Sequence, residues 1–89
     1  MNNYVVELRP INGRKSFYGK ARAIVVGDTV TLYSYNTAVC RIINGKFERL
    51  WYDEIDGKQG YSRTTMSHIQ AFCDRFGLPI ITKKEWDKL

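Results

Sequence analysis

The chain is short of the residues that most enzymes and secreted scaffolds rely on. It has 89 residues, one histidine, two cysteines and two prolines. A single histidine with Cys40 and Cys73 far apart and in no CxxC pair offers neither a metal-ligand cluster nor a disulfide framework. The two thiols are therefore expected to be reduced core residues. No apolar run approaches the ~18 residues that span a bilayer, and Met1-Asn2-Asn3 is not followed by a basic region and apolar stretch of the signal-peptide kind. A cytoplasmic protein with no membrane association is the expectation. Walker and GxGxxG motifs are absent. Asp53-Glu54-Ile55-Asp56-Gly57 lacks the alternating acidic spacing of a calcium loop and reads as a solvated turn.

The composition is that of a globular domain, with 44% hydrophobic and 26% charged residues. A chain of this length supports one domain, residues 1–89, with one modest core. The formal charge is +5, and between Arg9 and Arg22 five basic residues occur with no acidic one. Such an imbalance fits an acidic partner, nucleic acid first.

Turn chemistry organises the chain. Tyr4 to Leu8 is rich in β-branched and aromatic residues and ends before Pro10. Gly27-Asp28 separates Ala21–Val26 from Thr29–Tyr35 as a type II′ turn would, and Asn44-Gly45 separates Thr37–Ile43 from Lys46–Tyr52 as a type I′ turn would. A two-residue turn sets register, so Arg41 should face Glu48 and Ile42 should face Phe47. One face of that hairpin then carries Ala38, Cys40, Ile42, Phe47 and Trp51, broken only by Arg49, and is expected to be the core side.

From Ser62 to Phe76 the apolar positions follow helical spacing, with Ser62, Thr65, Met66, Ile69, Phe72, Cys73 and Phe76 on one stripe. Ser62 suits the N-cap with Tyr61 stapled to Met66, and Gly77 suits the left-handed C′ position. Thr82-Lys83-Lys84-Glu85 is a capping box, with Ile81 and Trp86 at the staple positions of a second short helix. The expected fold is α+β: an antiparallel sheet of about five strands, one amphipathic helix on one face, and a short C-terminal helix.

The long helix also carries hydroxyls, His68 and Cys73, the raw materials of nucleophilic catalysis. On the wheel His68 falls about 140° from Cys73, at ~100° per residue, so the two cannot form a dyad on one helix. His68 is expected to face away from the core, within reach of Thr64. With no oxyanion hole or acidic orienter in view, no catalytic residues and no cofactor are assigned, and the expectation is a protein that is not an enzyme.

The binding surface expected instead is the second face of strands two and three. Lys20, Arg22, Tyr33 and Tyr35 share it, with Tyr18 and the Arg14-Lys15 turn alongside. Rings that stack bases, among cations that follow phosphates, are what a sheet needs to hold single strands. A solvated face of long amphipathic side chains would look similar, and Ile24 and Val26 on the same face suggest partial cover by another element or a protein partner.

Ser34 to Ile42 (SYNTAVCRI) and Tyr61 to Phe72 (YSRTTMSHIQAF) resemble a family of small uncharacterised domains from bacteriophages and mobile genetic elements. The resemblance rests on Ser34, Tyr35, Thr37, Ser62, Thr64, Thr65 and His68. It implies that these residues build a strand-to-helix junction, and that the setting is that of an accessory protein binding nucleic acid or of an inhibitor of a host factor such as an anti-CRISPR. The oligomeric state stays open, a homodimer included.

Overall fold

In the computed structural model, described over residues 3–11, 17, 19–50 and 63–89, five strands form one antiparallel sheet in chain order and two helices follow. The strands are β1 (Tyr4–Glu7), β2 (Ala21–Val26), β3 (Thr29–Ser34), β4 (Thr37–Ile43) and β5 (Lys46–Arg49); the helices are α1 (Arg63–Arg75) and α2 (Lys83–Asp87). This is the α+β architecture expected. The proposed cap at Ser62, its Tyr61 staple, Trp51 and the acidic 53–56 stretch lie outside the described residues.

Local chemistry explains the hairpins. Gly27 takes φ 57° at the first turn position, and Asn44 and Gly45 take 52° and 79°, the positive values that primed turns need. The β4–β5 register follows: Ile42 faces Phe47, and Arg41 faces Glu48 with a 2.7 Å ion pair. The β3–β4 pairing departs from simple alternation. Leu32 faces Cys40 but Tyr33 faces Ala38, so the register shifts and Val39 has no partner on β3. Such a bulge turns two successive side chains inward, and Val39 and Cys40 are both buried. Ala38, expected on the core face, is thereby moved to Tyr33's side, the open face.

The core lies between the sheet and the helices: Leu8, Ala21, Ala23, Leu32, Val39 and Cys40 meet Met66, Ile69, Phe72, Cys73 and Trp86. At the end of α1, Leu78 N–H donates to the Cys73 carbonyl at 2.8 Å and Gly77 N–H to that of Asp74 at 3.3 Å. With Gly77 at φ 74°, this is a Schellman cap. Thr82 and Glu85 form the reciprocal capping box of α2, and Thr82's hydrogen bonds hold the Glu85 carboxyl below its usual pKa. The Arg49 that interrupts the apolar face of β5 is explained by α2: its guanidinium lies 4.9 Å from the Trp86 ring centre and donates to the Trp86 carbonyl at 2.8 Å.

Among the described residues no helix is long and apolar enough to cross a membrane. Both cysteines are buried and unbonded to one another. Burial raises the pKa of each, with Cys73 a lesser influence on Cys40, so neither is a ready thiolate.

Candidate functional site

The β2–β3 end of the sheet gathers most of the residues singled out above. A turn closed by Lys20 N–H donating to the Phe17 carbonyl at 3.1 Å leads into β2, with Gly19 at φ 74°, a backbone that glycine adopts readily. Lys20 then sits opposite Tyr35, whose N–H donates to the Lys20 carbonyl at 2.7 Å. Tyr35 begins the two-residue turn between β3 and β4 and has φ 57°. A tyrosine in the left-handed region stores on the order of 1–2 kcal/mol of strain, so its surroundings must hold it there.

They do so from three sides. Arg22 Nη2 donates to the Tyr35 carbonyl at 2.8 Å. The Lys20 ammonium lies 5.3 Å from the centre of the Tyr35 ring, and the other side of the cluster is His68, with ring centres 5.7 Å apart. Tyr35 nevertheless stays 46% exposed. Gly19, Lys20, Arg22, Tyr35 and Asn36 line an open depression of about 320 Å³. Tyr33 faces Arg22 across the strands, half-buried. Lys20, Arg22, Tyr33 and Tyr35 are thus brought together, although Tyr35 belongs to the turn and not to the strand face. Arg14, Lys15, Tyr18 and Ser62 lie outside the described residues, as does the side chain of Thr64.

His68 differs from expectation. It does not face away from the core: it is 1% exposed. Its Nδ1 shares a 2.8 Å hydrogen bond with Ser34 Oγ, which is also 3.3 Å from Thr65 Oγ1, and the Phe17 ring packs edge-on at 4.5 Å between centres. The apolar stripe of α1 is therefore only part of its buried surface. Thr65 is buried on the stripe as expected, His68 extends the buried surface toward Phe17, and Gln70 is engaged on the far side by donating to the Ile81 carbonyl at 3.1 Å. Irregular segments cover the flank of α1 that a wheel assigns to solvent. The signal that could have revealed this was the pairing of Ser34 with Thr65 and His68 across the two resembling motifs.

A serine bonded to a histidine invites comparison with a nucleophile and its base. Here the third group is a threonine hydroxyl, Ser34 is 3% exposed, and no carboxylate is bonded to the ring among the described residues. The arrangement ties strand to helix. Burial lowers the His68 pKa, favouring the neutral ring that a Ser–His hydrogen bond accommodates. Among the described residues no group of three His, Cys, Asp or Glu side chains is placed to hold a metal. Thr37 faces Ser34 across the hairpin and is exposed.

The open face beyond this end is electrically mixed. Glu7 faces Arg22, and Arg41 is bonded to Glu48. Along β1 and β2 it is apolar, with Val5 opposite Ile24 and Val26 beyond.

A family model matches residues 6–88, nearly the whole chain. The chain belongs to DUF8033, a family of unknown function. The expectation of an uncharacterised family is met at that level, and family membership brings no activity with it. No curated protein and no solved structure matches the chain.

Proposed function

We propose that this DUF8033 chain is a non-enzymatic binding protein that holds single-stranded nucleic acid at the β2–β3 end of its sheet, as an accessory factor in a phage or mobile-element setting. The observation that carries the reading is a half-exposed Tyr35 held in a strained turn, with Lys20 at its ring, Arg22 on its carbonyl and Tyr33 facing Arg22. A fixed ring presents a stacking platform at low entropic cost, and the two cations supply phosphate contacts beside it. Arg41 is taken up by Glu48, and the cations placed at Tyr35 are Lys20 and Arg22, so the footprint proposed is a few nucleotides long. Fluorescence anisotropy with a labelled oligothymidine and a duplex of equal length tests it. The single strand should bind tighter, and Tyr35→Leu should weaken binding roughly fivefold to a hundredfold, the worth of one stacked base; equal binding of both probes, or no effect of Tyr35→Leu, contradicts it.

A second reading is favoured by the uncharged strip of Val5, Ile24 and Val26 on the open face: an inhibitor or adaptor that docks on a host protein. A stoichiometric protein partner retained from nuclease-treated lysate supports this reading over the first.

A further inference from the structure

The two edges of the sheet are built differently. β5 is Lys46-Phe47-Glu48-Arg49, and charged residues on an edge deter pairing with another chain. β1 is Tyr4-Val5-Val6-Glu7, with no lysine, proline or bulge, and among the described residues no strand pairs with its outer side. Which backbone groups it presents can be worked out. Leu8 N–H donates to the Ala21 carbonyl at 2.9 Å, so Leu8 and, by alternation, Val6 and Tyr4 bond inward to β2. Asn3, Val5 and Glu7 therefore direct their N–H and C=O groups outward. There is room beside them. Tyr4 belongs to the helix-covered face, since it pairs with Val25, yet it is 52% exposed, so the helix layer stops short of this edge. Val5, on the open face, is 60% exposed.

We propose that the β1 edge is a homodimer interface, in which β1 pairs antiparallel with β1 of a second copy about a two-fold axis perpendicular to the sheet. Such an axis keeps the open faces of both copies on the same side, so facing residues must share parity. Of the registers that set outward-bonding residues opposite one another, the one that engages all of Asn3, Val5 and Glu7 puts Val5 opposite Val5 of the second copy, with Asn3 opposite Glu7 on either side. The register is self-complementary. Valine meets valine at the axis, Tyr4 meets Val6, and each Glu7 carboxylate faces an amide and not another carboxylate. A second copy suits this edge better than an arbitrary strand because the five residues Asn3 to Glu7 supply both members of every opposed pair.

Sedimentation equilibrium over roughly 0.01 to 1 mM protein covers the range in which a small interface saturates. The mass should rise from the 10.4 kDa of one chain toward twice that value. Val5→Pro removes an N–H that β2 does not use, so the fold should survive and the dimer be lost. Val5→Lys and Val5→Glu should each be monomeric, because residue 5 meets itself, and should form a 1:1 dimer when mixed. A wild-type chain that stays monomeric across the range overturns the proposal. So does a folded Val5→Pro or Val5→Lys protein that still dimerises, or a Lys and Glu mixture that remains monomeric.

Discussion

Replacing Ser34 with alanine removes one oxygen from the buried polar cluster that ties β3 to α1. Ser34 Oγ is bonded to His68 Nδ1 at 2.8 Å and to Thr65 Oγ1 at 3.3 Å, and all three side chains are buried. Alanine leaves the ring nitrogen without that partner in a site closed to water. The cost of such an orphaned group is about 1–3 kcal/mol. For a domain of this size each kcal/mol lowers Tm by about 4–8 °C, so the expected fall is roughly 4 to 24 °C. Urea melts followed by far-UV circular dichroism measure it, with a double-mutant cycle to isolate the pair. In Ser34→Ala/His68→Phe both polar partners are gone, and the combined loss should fall short of the sum of the single losses by more than about 0.5 kcal/mol. Strict additivity, or a Ser34→Ala protein within about 0.3 kcal/mol of wild type, refutes a structural role for this hydrogen bond.

The same cluster predicts a pH dependence. His68 is the only histidine, and its folded pKa lies below the unfolded 6.5, so the unfolded chain takes up its proton first: stability should be level above 6.5 and decline as pH falls through it, toward the folded value. Melts at a series of pH values between about 5.5 and 7.5 should show this slope in wild type and not in His68→Phe. At the other end of the core, Trp86→Ala should cost about 3–5 kcal/mol, because the fully buried ring anchors α2 and stacks beneath Arg49; a loss below about 1 kcal/mol in urea denaturation would mean that α2 is not docked in solution.

Where local chemistry decides structure, the sequence was enough. Asn44, Gly45 and Gly27 sit where primed turns need positive φ and have it, and the resulting β4–β5 register brought Arg41 onto Glu48. The capping box at Thr82 and the glycine at 77 acted as their chemistry dictates. What was hidden depends on contacts between distant segments. The bulge at Val39 and the left-handed Tyr35 carry no turn-forming residue to announce them, since neither valine nor tyrosine favours those backbones. His68 looks like part of a solvated helix face because a wheel registers polarity, and a polar side chain that is satisfied inside a core is indistinguishable from a wet one until Ser34 and Phe17 are placed beside it. The basic and aromatic residues of β2 and β3 could be assigned to one face by alternation. That Glu7 would sit beside Arg22 required the β1 register, which no short turn sets.

The measurement closest to the central claim is the salt dependence of single-strand binding, read by gel shift or anisotropy between 50 and 200 mM salt with single- and double-stranded probes. Each phosphate contact on a single strand contributes a slope of about −0.7 in log K against log salt. Wild type should bind the single strand with a steep negative slope, and removing both cations beside Tyr35 in Lys20→Ala/Arg22→Ala should make that slope shallower by about 1.4. An affinity that does not change with salt, or a slope that the double substitution leaves intact, would contradict nucleic-acid binding at this end of the sheet.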